Sequence, residues 1–472
     1  MLFNSVEFLF IFLPITFFVY FLLNKLKLIE MATAWLVVAS LAFYSYWKID
    51  YLPLILCSMV INYSIGSTIS KNNRLKIDKK LLFVAGIVIN VGLLVYYKYF
   101  NFLIENINAV FSANFNYMNI ILPLAISFFT FQQIAYLADS YDGKTSEYDF
   151  LRYALFVTFF PQLIAGPIVH HKEMMPQFSN LRNRFINPKN ISIGLFLLSI
   201  GLFKKVVIAD YLSPFVCQIF DVIPHPTFAE TWIGVFSYTF QLYFDFSGYT
   251  DMATGIGYLF NIVLPQNFNS PLKAVSVQDF WRRWHMTLSR FLRDYVYIKL
   301  GGNRAGDLKT YRNLFLTFLI GGIWHGANWT FILWGILHGI AVCIHRFWSK
   351  TEKYISENIA GIFTFLFTVL TFMIFRAKDL NRVGELFKSL FGFNGFSPIV
   401  FDKFRLVFEG GSLKLSLFLV IAVIVMTFFM KNSIEQAKDF KPDKVHLFFS
   451  LTILLIALLN MHRISEFLYF QF

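Results

Sequence analysis

The chain has 472 residues, of which 57% are hydrophobic and only 15% charged, with a formal net charge of +13 and a mean hydropathy of +0.58. A soluble chain carries about 25% charged residues, so this balance excludes an ordinary soluble domain and makes lipid the expected solvent. Lys and Arg then belong to cytoplasmic loops, and no basic stretch is long enough to form a nucleic-acid-binding domain of its own.

Lipid supplies no hydrogen-bond partners, so spanning segments must be helices or a closed barrel. The apolar runs here are long and continuous rather than alternating, which predicts an all-α polytopic membrane protein. The opening MLFNSVEFLFIFLPITFFVYFLL lacks a basic n-region and a small-residue cleavage site and is expected to stay as a first span. Further spans are expected near 31–47, 51–68, 81–99, 118–138, 151–169, 191–209, 231–247, 250–264, 311–325, 328–347, 358–375, 413–430 and 445–459. Some are short or broken by Gly and Pro, so the expectation is about 10 to 14 transmembrane or re-entrant helices. No repeat or low-complexity linker divides residues 1–472, which predicts one membrane domain with its core at roughly 118–347. Cys57, Cys217 and Cys343 sit far apart in apolar surroundings and read as buried small hydrophobes, not as a metal or disulfide set.

Loop charge predicts orientation. Lys25 and Lys27 follow the first span, and Lys71, Arg74, Lys76, Lys79 and Lys80 follow the third, which places both loops in the cytoplasm and the N-terminus outside. Loop 100–117, without Lys or Arg, is expected to face outward, and the basic stretch Arg282 to Arg312 to face the cytoplasm. An acidic 139–150 and a basic 170–189 disagree in parity unless 151–169 is re-entrant, broken at Pro161 and Gly166-Pro167.

Three stretches carry polar groups in apolar context. In QLYFDFSGYTDMATG, the residues Gln241, Asp245, Tyr249 and Asp251 fit either a polar chamber lining or a helix-capping turn. Over 278–304, a period of about 100° per residue puts Trp281, Trp284, Leu288, Phe291, Leu292, Tyr295 and Ile298 on one side of a helix and Arg282, Arg283, Arg290 and Arg293 on the other. Such a helix fits an interfacial anchor, or a site where arginines meet an acyl donor's phosphates. His285 lies at the edge of its apolar stripe, and GGNR at 301–304 offers backbone N–H groups to a phosphate. No P-loop and no GxGxxG motif is present.

The third stretch, NLFLTFLIGGIWHGANWTFILWGILHG, holds His325 and His338 in apolar spans. Ionisable groups at membrane depth are costly and usually line a cavity or a polar path. Gly321, Gly322 and Gly326 leave room beside His325; Trp324, Trp329 and Trp334 form an expected aromatic wall; and Asn328 sits three residues on. A structural hydrogen bond for such a histidine remains the alternative to chemistry. Within this stretch no HxxH, HxxxH or HxxE spacing supports a metal.

The pairing of WRRWH-x3-SRFLRDYVYIKLGGNR with GGIWHGANWTFILWGILHG resembles the bacterial membrane-bound O-acyltransferase family. FNSVEFLFIFLP, AGPIVHHKEMMPQF and FSGYTDMATGIG extend the likeness along most of the chain, toward the branch of alginate and peptidoglycan O-acetylation proteins, with teichoic acid D-alanylation further away. The resemblance implies a ring of helices around a funnel, with His325 as catalytic histidine and His285 as the second conserved one. His338 matches a family position as well, and together with Arg282, Arg283, Trp284, Trp324 and Asn328, taken from the patterns above, it is expected around donor and substrate. The resemblance also implies a bacterial inner-membrane enzyme with no tightly bound cofactor, acetyl-CoA as donor and a separate SGNH-type esterase partner outside. The acceptor is expected to be a cell-envelope glycan, peptidoglycan first and an alginate-like exopolysaccharide second. The ending Glu466-Phe467-Leu468-Tyr469-Phe470-Gln471-Phe472 is an interfacial anchor or, by its likeness to the partner peptide of D-alanylation, a segment whose Tyr469 carries the acyl group. A transporter or flippase, which would carry internal inverted repeats, and an envelope scaffold are the competing classes.

Overall fold

A computed structural model describes residues 1–70, 78–145, 149–304, 306–351, 355–396, 413–461 and 467–468. Lys71, Arg74, Lys76 and Tyr469, on which expectations were placed, lie outside the described residues. Every described element is a helix, so the chain is the all-α, multi-pass protein its composition demands.

The helices, in chain order, are α1 (Leu13–Lys25), α2 (Ile29–Ser45), α3 (Leu52–Ser70), α4 (Lys79–Leu94), α5 (Phe100–Phe111), α6 (Ile126–Tyr141), α7 (Phe150–Thr158), α8 (Phe160–Leu163), α9 (His171–Ser179), α10 (Pro188–Leu202), α11 (Asp210–Cys217) and α12 (Phe228–Leu259). They continue with α13 (Val277–Arg283), α14 (Met286–Leu292), α15 (Asp307–His325), α16 (Trp329–Trp348), α17 (Glu357–Arg376), α18 (Leu380–Leu390), α19 (Leu413–Phe429), α20 (Ser433–Asp439) and α21 (Lys444–Leu459). Two compact units form: the first takes Met1–Leu202, Tyr249–Pro265 and Phe440–Leu455, the second Phe203–Gly248, Gln266–Asp439 and Ile456–Phe472.

Among the described residues, six helical stretches are long and apolar enough to cross a membrane: Phe8–Lys25, Ile49–Ser70, Lys79–Phe111, Pro188–Val222, Trp329–Trp348 and Glu357–Arg376. The pair Val420–Phe429 and Ser433–Asp439, bent by 56°, makes a seventh if counted as one span, and Ile29–Ser45 and Lys444–Leu459 are shorter apolar helices. This strict count is below the sequence expectation because several apolar segments are merged, interrupted or polar. Segment 231–247 and most of 250–264 are one helix, α12, of 32 residues, which ends at Leu259. Gln241, Asp245, Tyr249 and Asp251 therefore sit mid-helix, which removes the capping-turn alternative. The expected outward loop 100–117 is helical as far as Phe111, and 118–138 becomes helical only at Ile126. Segment 151–169 is broken as expected, with Pro161 in the first turn of α8.

In the first unit, buried amides answer each other across α3 and α4: Asn90 Nδ2 donates to Asn62 Oδ1 at 2.6 Å and Asn62 Nδ2 returns a bond to Asn90 Oδ1 at 3.3 Å. Tyr249 stacks on Phe3 in the same unit, ring centroids 4.8 Å apart. In the second unit, Arg382 of α18 crosses to the chain after α11, donating to the carbonyls of Ile219, Phe220, Ile223 and Pro224. It satisfies acceptors that the end of a helix leaves open.

α15 and α16 form an antiparallel hairpin whose seam is made of glycine. A Cβ at Gly322 would stand 2.6 Å from the Phe331 carbonyl oxygen and 2.8 Å from the Gly335 Cα, and one at Gly335 would stand 2.7 Å from the Phe318 oxygen. All three obstacles are backbone, which cannot swing aside. Small residues are what let helices approach this closely in lipid. Gly322→Ala is expected to destabilise the detergent-solubilised protein by about 1–3 kcal/mol, read as a lowered melting midpoint; an unchanged midpoint would show that the seam relaxes.

Candidate active site

All three histidines singled out from the sequence fall in the second unit. His325 is the last residue of α15; Gly326 beyond it is extended, and α16 restarts at Trp329. The imidazole is 6% exposed and edge-on to two aromatic rings, Trp334 and Phe375, with centroids 5.1 Å from each, while its neighbour Trp324 lies 5.0 Å away. The expected aromatic wall is thus built from Trp324 and Trp334, with Phe375 of α17 in place of Trp329, which is half exposed. A helix end gives His325 this setting: a residue within an unbroken helix would have the next turn stacked against it.

His338, fully buried in α16, uses both ring nitrogens. The indole N–H of Trp281 donates to Nδ1 at 3.1 Å, and Nε2 faces Thr371 Oγ1 at 3.1 Å. An indole N–H can only donate, so Nδ1 carries the lone pair and the proton is on Nε2. Thr371 can receive it because its own hydroxyl donates to the Phe367 carbonyl at 2.9 Å. His338 therefore has the fully satisfied hydrogen bonding of a structural histidine, and it packs 4.6 Å from Trp334, the ring it shares with His325.

His285 departs from the expected helix 278–304. The backbone flips to φ +41° at this residue, ending α13 and starting α14. Left-handed backbone at a non-glycine residue is strained and held by its surroundings. Here the holding is visible. Segment 267–269 pairs with the chain on either side of the flip, Asn269 N–H donating to the Arg283 carbonyl and Met286 N–H to the Asn267 carbonyl, both at 2.9 Å. Asn267 Oδ1 also accepts from Thr287 N–H at 3.2 Å and Thr287 Oγ1 at 2.9 Å, and His285 Nδ1 lies 3.1 Å from the same oxygen. That oxygen is an acceptor, so Nδ1 carries the proton and Nε2 the lone pair. Burial pushes the imidazole down to about 3, because a charged ring would lose its water.

Touching rings join the histidines: His325 to Trp334, Trp334 to His338 and Trp281, Trp281 to Phe280, Phe280 to Trp284, Trp284 to Phe246, and Phe246 to His285 at 4.8 Å. Trp284 and Trp324 are buried within this assembly. The other expected donor-side residues are placed differently. Arg282 is exposed and Arg283 is paired with Asp279 at 2.9 Å, one helical turn back. Asn328 does not continue the helix of His325. It caps α16, its Oδ1 accepting from Thr330 N–H at 3.0 Å and its Nδ2 donating to the Lys378 carbonyl at 2.7 Å.

Sequence reasoning missed Asn267, Trp281 and Thr371 as partners of histidines, and Lys205 and Asp210, which meet the flagged Asp245 in a buried ion triad. The last two had a signal: charges inside the apolar run GLFKKVVIADYL. Among the described residues no three His, Cys, Asp or Glu side chains converge as a metal set would.

The MBOAT, membrane-bound O-acyltransferase, family profile matches residues 144–381, which contain all three histidines. The chain is 44% identical to the peptidoglycan O-acetyltransferase of Helicobacter pylori over all of this chain and 98% of that one. It is 37% identical to the "probable alginate O-acetylase" of Pseudomonas aeruginosa over 94% of this chain and 84% of that protein. It is 29% identical to the teichoic acid D-alanyltransferase of Bacillus subtilis over 56% of this chain and 71% of that one.

The geometry around His285 makes a direct prediction. Nitrogen-15 spectra of histidine-labelled protein should show one imidazole protonated at Nδ1 and still neutral at pH 4, lost in His285→Gln; an imidazolium signal for this residue near pH 6 would contradict the assignment.

Proposed function

The chain belongs to the membrane-bound O-acyltransferase family, a multi-pass membrane acyltransferase, and from that premise we propose that it moves an acetyl group from cytoplasmic acetyl-CoA across the bacterial inner membrane for O-acetylation of peptidoglycan. The 44% identity over the whole chain to a peptidoglycan O-acetyltransferase supports this acceptor ahead of an alginate-like polymer. The N-terminus lies outside, and an SGNH-type esterase outside the membrane completes delivery to the glycan.

The observation that carries the mechanism is His325 at the broken end of α15, edge-on to aromatic rings. As the acceptor oxygen forms its bond to the thioester carbonyl carbon, His325 takes the hydroxyl proton. The tetrahedral intermediate then collapses, the C–S bond breaks, and the imidazolium returns the proton to the departing thiolate of CoA. The Trp334 indole N–H, buried in contact with the His325 ring and with no acceptor among the described residues, is the donor for the oxyanion. His285, neutral with its lone pair on Nε2, is the second base. Trp284, Trp324 and His338 shape the chamber, and Arg282 and Arg283 lie on the donor side. Tyr469 is the first acceptor, its phenol becoming an acetyl ester that passes outward.

Purified protein in nanodiscs, given radiolabelled acetyl-CoA, tests this. His325→Ala should cut thioester consumption by about 10²–10⁴-fold, the contribution of a positioned base, with expression retained; full activity would remove His325 from the chemistry. Covalent label on the wild-type chain, absent in Tyr469→Phe, is the expected signature of the relay, and equal labelling of both would discard it.

A further inference from the structure

The first unit carries a surface depression that none of the chemistry above uses. It has a volume of about 470 Å³ and lies among the turn between α1 and α2, the start of α7 and the short turn Leu181–Arg184. Small-molecule sites run to about 300–1,000 Å³. Its charged lining is unequal, with Lys27, Arg152 and Arg184 set against the one carboxylate of Glu30. Arg152 is oriented from two directions, by Glu30 Oε1 at 3.3 Å and Asp149 Oδ2 at 3.5 Å. Lys27 is placed by the backbone. Leu28 N–H closes on the Leu23 carbonyl at 2.9 Å and Lys27 N–H on that of Asn24 at 3.0 Å, which turns Lys27 to φ +62°. Glycine is the residue that favours this helix ending. A lysine is strained there, and it sets a cation at the depression. Beside the cations stand two apolar side chains, Leu28 and Met31, which are 42% and 57% exposed. Lys27 is two residues beyond the span Phe8–Lys25, at the depth where lipid headgroups lie.

We propose that this depression binds the phosphodiester headgroup of an anionic phospholipid, with Lys27, Arg152 and Arg184 around the phosphate and Leu28 and Met31 along the first carbons of the acyl chains. An arginine fork matches phosphate oxygens in pairs, and a lysine adds a point charge. A zwitterionic headgroup would bring its own ammonium among three cations, so net negative charge is selected. Basic pockets beside spanning helices recognise lipid headgroups in this way. The apolar rim favours lipid over a free anion, because inorganic phosphate has nothing to set against Leu28 and Met31. Bound there, one lipid ties the α1–α2 turn to α7 and to the 181–184 turn, and it stabilises the folded protein by mass action. The site is independent of the acyl-transfer reading and is tested without turnover.

Full-length protein in dodecyl maltoside micelles, titrated with dioleoyl phosphatidylglycerol or dioleoyl phosphatidylcholine, gives the test, with bound lipid counted by native mass spectrometry. Phosphatidylglycerol should bind about tenfold or more tighter than phosphatidylcholine and raise the melting midpoint. Lys27→Gly combined with Arg184→Gln should abolish that preference. Glycine relieves the left-handed turn, so the variant is expected to fold, and its melting midpoint without lipid reports this directly. Lys388→Gln combined with Lys431→Gln removes two exposed cations of the second unit and should keep the preference. Equal binding of the two lipids by the unmutated protein would overturn the site. So would a preference that survives Lys27→Gly with Arg184→Gln, or one lost to the same extent in the control. Displacement of the lipid by millimolar inorganic phosphate or acetyl-CoA would overturn its assignment to phospholipid.

Discussion

In a medium without water, a polar group must find its partner inside the protein or not be there at all. That constraint accounts for more of this molecule than any single contact. It makes every described element a helix, and it pairs Asn62 with Asn90 across two apolar helices. It also accounts for the reach of Arg382 to four carbonyls and for the presence of Lys205 where two carboxylates are buried. Each of these polar groups is expensive alone and tolerable in company, so each also fixes the relative position of the segments that share it.

Close packing supplies the second half of the construction. Helices in lipid gain little from hiding apolar surface from one another, and contact at short range has to do that work. The Gly322–Gly335 seam brings the backbones of α15 and α16 together, and α15 ends three residues later at His325. With the backbones that close, Trp334 of α16 reaches the His325 ring directly, and Phe375 of α17 closes on it from a third helix. The seam therefore connects to the site through geometry: a wider crossing would carry Trp334 away from the imidazole.

How much of this was legible in the sequence depended on whether the signal was local. Histidines in an apolar run, glycines around His325 and the break near Pro161 are visible because composition alone marks them. The break at His285 was not visible, because the aromatic stripe of 278–304 keeps helical spacing straight through the residue where the backbone flips. What bends the chain there is pairing with Asn267, eighteen residues earlier and in a different segment. The merging of two expected spans into α12 was hidden for a related reason. Gly248 and the polar residues around it look like a turn in isolation, yet α12 runs unbroken through them. Asn328 was misplaced by one assumption, that α15 continues past His325. Once the helix stops there, an asparagine two residues before Thr330 is a cap for the next helix.

The three histidines also differ in what their hydrogen bonds leave them able to do. His338 has a donor on one nitrogen and an acceptor on the other, so taking up or giving away a proton would leave Trp281 or Thr371 facing the wrong partner. Its cheapest state is the one it already occupies, and its value lies in holding Trp281 and Trp334 in place. At His285, Asn267 Oδ1 takes the Nδ1 proton and thereby fixes the tautomer, leaving the lone pair on Nε2. His325 is bounded by the rings of Trp324, Trp334 and Phe375, which orient the imidazole through packing. A base that accepts a proton in one step and returns it in the next must keep its orientation through both, and packing against Trp334 and Phe375 supplies that.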